Sequence, residues 1–140
     1  MIPVYREENI ILETCLFYRD LLIEADEWNL NLHFVGNTVE GNFSTNQTII
    51  KVNEFFRTNS KVSTSIAQSG SKAGQLNYVL NSIIPASNVE DESQLIGIYD
   101  VDSRPSLASL IANFSLLEPN VVAQQYGCLL YTSPSPRDRG

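Results

Sequence analysis

Two aspartates, Asp100 and Asp102, are the residues of this sequence best suited to chemistry, and they follow the apolar run Leu95–Tyr99 directly. In an extended chain, residues two positions apart leave the same face of a strand, so both carboxylates would point to one side. Two hard oxygen ligands placed in this way suit Mg²⁺ or Mn²⁺ that is shared with substrate phosphates. Asp-x-Asp triplets are also common in polar turns, where Asp102 or Ser103 could cap the next helix. Spacing alone leaves both interpretations open.

A second candidate is the small-residue loop Ser69-Gly70-Ser71-Lys72-Ala73-Gly74, which joins a predicted strand to a predicted helix. Backbone amides, the positive end of the helix dipole and the Lys72 ammonium all favour an anion there. The loop matches neither the Walker A pattern nor the Gly-x-Gly-x-x-Gly dinucleotide pattern. An ordinary loop with an exposed lysine explains it equally well when it is taken alone. Beside a pair of metal-binding carboxylates, an anion site is what a nucleoside diphosphate requires.

Hydrophobic periodicity predicts the elements that must position these residues. The predicted helices cover 7–25, 46–56, 73–84 and 105–117, and the predicted strands cover 30–35, 61–66, 95–99 and 121–125, after a first strand that ends at Tyr5. We expect a turn at Gly36-Asn37 and a helix cap at Ser44 or Thr45. Strands that alternate with helices through short connections predict an α/β fold with a mostly parallel sheet and helices on both faces. Ligands bind such sheets at the carboxyl ends of the strands.

Composition and charge exclude several classes of function. The chain has 140 residues, which is the size of one domain, and a net charge of −7. A negative surface repels phosphates, so we expect no nucleic-acid partner. His33, Cys15 and Cys128 are too few for a zinc site or a disulfide framework. No apolar run approaches the roughly 18 to 20 residues that cross a bilayer.

Both ends of the sequence carry signs of a boundary. The segment Cys-Leu-Leu-Tyr-Thr-Ser-Pro-Ser-Pro-Arg-Asp, which begins at Cys128, is similar to an in-frame translation of a transposase adapter used in sequencing libraries. We therefore expect residues 128–140 to be a non-native tail and residues 1–127 to form a partial, truncated domain. Residues 1–5 are typical of the last part of a buried strand, so we expect the first strand to be clipped as well.

Three segments resemble, in order, the landmarks of family 2 glycosyltransferases, which have the GT-A fold of nucleotide-diphospho-sugar transferases. They are Pro3-Val4-Tyr5-Arg6-Glu7-Glu8, Lys72-Ala73-Gly74-Gln75-Leu76-Asn77-Tyr78 and Asp100-Val101-Asp102-Ser103-Arg104-Pro105. The resemblance covers residues 1–127. It implies that the chain is the donor-binding half of an enzyme that transfers a sugar from a nucleotide-diphosphate sugar to an acceptor hydroxyl of a polysaccharide, lipid or glycan. It also implies that the transfer depends on a metal and inverts the anomeric centre.

The resemblance assigns a role to each matching residue. Pro3, Tyr5 and Glu7 would lie near the nucleotide base, while Lys72, Gly74 and Asn77 would line the nucleotide-sugar pocket. Asp100 would touch the nucleotide sugar, and Asp100 and Asp102 together would ligate Mn²⁺ or Mg²⁺. Arg6 departs from the usual asparagine of the first landmark. Asn37 or Thr38 stands where many members of the family have an aspartate that contacts the base.

No catalytic residue is identified in this chain, because the family places its catalytic base downstream of the matching segments. Many members also carry membrane helices there, so the resemblance implies a cytoplasmic domain of a membrane-bound protein. One alternative is a sugar-phosphate nucleotidyltransferase, which usually places a glycine-rich loop directly after its first strand, where this chain has Arg6-Glu7-Glu8. Another is a non-catalytic nucleotide-binding module with altered motifs.

Overall fold

The computed structural model describes residues 1–83 and 95–115 and the backbone of two further strands, 122–125 and 128–132. Its strands are β1 (Ile2–Pro3), β2 (Leu32–Asn37), β3 (Val62–Ala67), β4 (Leu95–Tyr99), β5 (Val122–Gln125) and β6 (Cys128–Thr132). Its helices are α1 (Ile11–Glu24), α2 (Gln47–Phe55), α3 (Lys72–Tyr78) and α4 (Leu107–Ser115), and a π-helical turn, Val79–Ile83, continues α3. The predicted alternation of strands and helices is confirmed, and the protein has an α/β fold.

A parallel sheet in the order β1-β2-β3 forms the first half of the molecule. Ile2 lies opposite Phe34, and Phe34 lies opposite Thr64. Backbone bonds at Met1 connect this sheet to β4, because the Met1 nitrogen donates to the Gly97 oxygen and the Tyr99 nitrogen donates to the Met1 oxygen. β1 therefore lies between β2 and β4. The chain first builds outward from β1 to β3 and then crosses to the other side of β1, which creates a topological switch point.

A second sheet, in the order β4-β6-β5, is antiparallel. The prediction of parallel pairing is thus confirmed for β1, β2 and β3 and does not extend to these strands. β6 belongs to the segment that we expect to be a non-native tail, and its origin stays a prediction. The rest of that segment, 133–140, lies outside the described residues, as do the predicted helix ends at 84 and 116–117.

Helices cover both faces of the sheet, as predicted. On one face, α1, α2 and α4 pack against Ile2, Phe34 and Tyr99. On the other face, Val79 packs against Val35 and Ala67, and Leu80 packs against Ile96 and Ile98. Removal of this apolar surface from water is the main favourable contribution to folding. Within the part of the chain that the structure describes, no helix is both long and apolar enough to cross a membrane.

The first helix begins later than the sequence predicts. Glu7 and Glu8 precede α1, because the Glu7 carbonyl accepts hydrogen bonds from the nitrogens of Ile10 and Ile11 at 3.0 and 2.9 Å. This turn bends the chain before the helix begins, so neither acidic residue belongs to its first turn. Both residues instead remain in the loop after β1.

Gly36 and Asn37 complete β2, and the predicted turn at these residues is wrong. A Cβ atom at Gly36 would lie 2.6 Å from Cγ1 of Ile49, so the glycine is needed for close packing of α2 on the strand. Asn46, and neither Ser44 nor Thr45, caps α2 by accepting a hydrogen bond from the Ile49 nitrogen at 3.1 Å.

Candidate functional site

A cleft of about 310 Å³ opens at the carboxyl ends of β1 and β4. It is lined by Pro3, Val4, Tyr5, Glu7, Ile10, Lys72, Gln75, Asp100, Val101 and Asp102. This is the switch point of the sheet, where open α/β sheets bind their ligands. The structure brings together the predicted site residues Pro3, Tyr5, Glu7, Lys72, Asp100 and Asp102. Of the other predicted residues, Gly74 and Asn77 are not part of the described lining.

The loop after β1 forms one wall of the cleft and has an unusual backbone conformation. Arg6 has φ +53°, and it is the one non-glycine residue with positive φ in the described part of the chain. Its nitrogen donates a 2.6 Å hydrogen bond to Oε1 of Glu40, which stabilises a conformation that L-residues rarely adopt. The Arg6 guanidinium lies 5.0 Å from the centre of the Tyr5 ring. The loop thereby presents a half-exposed aromatic side chain and a cation at the rim.

Glu7 adds a carboxyl group to the same wall of the cleft. Burial raises the pKa of the Glu7 carboxyl, and the negative charges of Asp102 and Glu40 raise that pKa further. A carboxyl whose pKa rises because of neighbouring carboxylates lies in a region of negative potential. A cation that enters the cleft would lower this repulsion.

Asp100 and Asp102 occupy a tight turn after β4, so the expectation of an extended strand at these residues is wrong. The Ser103 nitrogen donates to the Asp100 oxygen at 3.0 Å, which closes the turn. The buried Val101 between them points into the core, and its carbonyl accepts 2.8 Å hydrogen bonds from Thr14 Oγ1 and Arg104 Nη1. Both carboxylates line the cleft even so.

The alternative that this turn only caps the next helix does not describe what the structure contains. α4 begins at Leu107, and the side chain of Ser106 accepts a 3.0 Å hydrogen bond from the Ser109 nitrogen. Ser106 therefore caps α4. Asp102 and Ser103 precede this cap, and Pro105 precedes the helix.

Lys72 lies at the start of α3 and forms an ion pair with Asp100. Both side chains are about half exposed, so solvent screens the pair and its contribution to stability is small. Ser71 caps α3 by accepting a 3.0 Å hydrogen bond from the Gly74 nitrogen. A Cβ at Gly74 would lie only 1.7 Å from Ser69 Oγ, so Gly74 permits this tight loop and acts through the backbone.

Gln75 is the polar residue of the described lining that the sequence analysis did not single out. Its side chain is buried, and Nε2 donates 2.9 Å hydrogen bonds to the backbone oxygens of Val4 and Val35. It therefore joins the ends of β1 and β2 under the cleft. Gln75 lies three positions after Lys72, on the same side of the helix, whereas Asn77 lies about 140° away around the axis and is exposed. The helical period is thus the signal that separates these two residues.

Two residues considered for base recognition after β2 lie elsewhere. Asn37 is buried, and its Oδ1 accepts a 2.8 Å hydrogen bond from the Val39 nitrogen in a local turn. Thr38 is exposed, and neither residue belongs to the described lining of the cleft. Neither residue is therefore placed to contact a base in this cleft.

The two aspartate carboxylates suit a metal ion that is bound partly by the protein and partly by its substrate. Among the described residues there is no group of three or more His, Cys, Asp or Glu side chains that could hold a metal ion. Mg²⁺ is usually bound through one or two carboxylates together with substrate phosphates and water. The carboxylates of Asp100 and Asp102 line one cleft and provide ligands of this kind.

The cleft combines an aromatic side chain, one lysine and three carboxylates at a switch point of the sheet. The combination suits a ligand that carries a ring, a diphosphate and a bound cation. Comparison of the chain with protein-family models, with curated proteins and with solved structures found no match.

Proposed function

We propose that this chain is the donor-binding part of a family 2 glycosyltransferase with the GT-A fold. Such an enzyme transfers a sugar from a nucleotide-diphosphate sugar to an acceptor hydroxyl. One observation carries the proposal: three segments that are far apart in sequence contribute Tyr5, Lys72, Asp100 and Asp102 to a single cleft at the switch point. These are the segments on which the resemblance to the family rests.

Each side of the cleft suits one part of the donor. The half-exposed ring of Tyr5 offers a flat apolar surface against which a nucleobase can stack. The Lys72 ammonium lines the same cleft and is a point charge of the kind that binds phosphate. Asp100 and Asp102 line the same cleft and would provide carboxylate ligands for a cation that accompanies the diphosphate.

In this proposal, Asp100 and Asp102 would hold Mn²⁺ or Mg²⁺. When bound, the metal neutralises negative charge on the diphosphate leaving group. Thr14 and Arg104 keep the two aspartates in place through their hydrogen bonds to the Val101 carbonyl. Lys72 would leave Asp100 for the diphosphate, which frees the carboxylate for the cation.

The proposal assigns no catalytic base to this chain. Removal of a proton from the acceptor hydroxyl needs a base within hydrogen-bond reach of it, and the family resemblance places that residue downstream. Inversion of the anomeric centre, attachment of the whole protein to a membrane and a cytoplasmic position of this domain are parts of the proposal that rest on the resemblance alone.

Calorimetric titration of the 140-residue chain tests the proposal. UDP-glucose and GDP-mannose serve as probes, each with and without MnCl₂. We expect one of them to bind only with Mn²⁺, and Asp102→Asn to weaken that binding by at least about tenfold, since even indirect changes at metal sites cost this much. Asp26→Asn removes an exposed carboxylate on the loop after α1 and is the matched control.

Binding that needs no metal and is unchanged in Asp102→Asn would refute the metal-dependent donor site. Failure of both nucleotide sugars to bind the wild-type chain would also refute it. Tighter binding of UTP than of UDP-glucose would favour the nucleotidyltransferase alternative. The loop after β1, which holds Arg6 and Glu7 in place of glycines, speaks against that alternative.

A further inference from the structure

Glu40, in the turn after β2, connects α2 to the loop after β1 that lines the cleft. Oε1 of its half-buried carboxylate accepts the 2.6 Å hydrogen bond from the Arg6 nitrogen. Oε2 accepts hydrogen bonds from the Thr48 nitrogen at 3.1 Å and from Thr48 Oγ1 at 2.7 Å. One carboxylate thus bonds to the loop after β1 with one oxygen and to the first turn of α2 with the other.

Thr48 completes a second path between the same elements. It is fully buried, and its Oγ1 accepts a 3.0 Å hydrogen bond from the Glu7 nitrogen while it donates to Glu40. The nitrogens of two successive loop residues, Arg6 and Glu7, are therefore held by the Glu40 and Thr48 side chains. Hydrogen bonds from a backbone N–H to a carboxylate are stronger than those between neutral groups.

The backbone of the loop needs this support. An L-residue in the left-handed region is strained, and such a conformation persists only when its surroundings fix it. Arg6 has that conformation, and its neighbours Tyr5 and Glu7 both line the cleft. The direction of these two side chains depends on the backbone at Arg6.

We propose that Glu40 is a positioning residue for donor binding, which fixes the loop of Tyr5, Arg6 and Glu7 in the conformation that forms the wall of the cleft. This inference rests on the proposed function, because it concerns the same nucleotide-sugar site. Glu40 does not line the cleft and acts through the loop. When a loop is in its binding conformation for only a fraction of the time, the apparent Kd rises by the inverse of that fraction.

The diagnostic substitution is Glu40→Gln. Glutamine has nearly the same shape, but its one oxygen is the sole acceptor and its amide nitrogen only donates. It therefore cannot replace both carboxylate oxygens, which accept from the nitrogens of Arg6 and Thr48. We expect the Kd for the nucleotide sugar with Mn²⁺ to rise about tenfold, as it does when the binding conformation falls to a tenth. Glu54→Gln, on the exposed side of α2, makes the same chemical change and should leave the Kd unaltered.

A rescue variant separates positioning from general destabilisation. Asparagine adopts the left-handed conformation more readily than arginine, so Arg6→Asn should recover part of the affinity in the Glu40→Gln background. A residue needed only for overall stability would not be compensated in this way. Thr48→Val and Thr48→Ser form a second pair, in which only valine removes the hydroxyl that holds the Glu7 nitrogen and should raise the Kd.

Amide hydrogen exchange, followed by NMR on the ligand-free chain, tests the tether without any nucleotide. We expect the Arg6 amide to exchange at least about tenfold faster in Glu40→Gln, while the amides of α1 keep their rates. Faster exchange with an unchanged Kd would overturn the positioning role while the proposed function stands. Unchanged exchange at Arg6 would overturn the tether itself. A wild-type chain that binds neither UDP-glucose nor GDP-mannose would overturn the proposed function and this inference together.

Discussion

Gln75→Leu tests whether a buried amide holds the ends of β1 and β2 together. Leucine fills about the same volume but removes both 2.9 Å hydrogen bonds from Nε2 to the Val4 and Val35 carbonyls. The Val35 oxygen keeps a second donor, because it also accepts from the Val4 nitrogen at 2.9 Å. The Val4 oxygen loses the donor that Gln75 supplies.

The expected loss of stability follows from these two bonds. Loss of one hydrogen bond whose acceptor keeps another partner costs about 0.5–1.5 kcal/mol, and a buried acceptor left unsatisfied costs about 1–3 kcal/mol. Leucine is more easily buried than an amide, and this offsets a part of the cost. We expect the free energy of unfolding to fall by about 1–4 kcal/mol.

Urea unfolding followed by circular dichroism measures the change. The midpoint should fall while the slope of free energy against urea stays constant, since the same surface is exposed on unfolding. Gln68→Leu is the matched control, because Gln68 is exposed in the loop after β3. Its effect should stay within about 0.5 kcal/mol. Equal effects of the two substitutions would show that the bonds of Gln75 do not join the strands.

Three further predictions concern single titratable or charged side chains. Lys72→Met removes the cation that pairs with Asp100. Calorimetry should therefore show tighter Mn²⁺ binding without nucleotide and weaker binding of the nucleotide sugar. Weaker binding of both would contradict the proposal that Lys72 leaves Asp100 for the diphosphate. Burial, followed by the charge of the N-terminal amino group, lowers the pKa of His33 to about 4, against about 6.5 in the unfolded chain. The unfolded state then binds more protons between these values, so stability should rise with pH from about 4 to 6.5, and His33→Gln should flatten this rise in urea titrations. Burial raises the pKa of the Cys15 thiol to about 12, so in a Cys128→Ser chain a thiol reagent should react only after urea unfolds the protein, and rapid labelling without urea would contradict this.

The order of elements could be predicted because it depends on local patterns. The strand Leu95–Tyr99 has the predicted bounds, since a continuous apolar run marks a buried strand clearly. The starts of the helices were less predictable, because several polar residues compete for each cap. Asn46 caps α2 in place of Ser44 or Thr45 because its side chain reaches the Ile49 nitrogen. The sequence alone does not show which of the three side chains will reach that nitrogen.

The candidate site divides in the same way. Lys72, Asp100 and Asp102 could be found because charged residues after predicted strands are visible in a sequence. Glu40 and Gln75 could not, because they bond to backbone atoms of distant strands and loops. Neither their charge nor their spacing shows which carbonyl or amide will lie opposite them after folding.

The bonds between Met1 and β4 also have a consequence for the rate of folding. They join residues 96 and 98 positions apart, so the chain must close a very long loop before the two halves of the cleft meet. Contacts of such high sequence separation form slowly. If they form after the rate-limiting step, a ligand that binds across the cleft stabilises only the finished fold. A nucleotide sugar should then slow the unfolding of the chain and leave its folding rate unchanged, which stopped-flow measurements can observe directly.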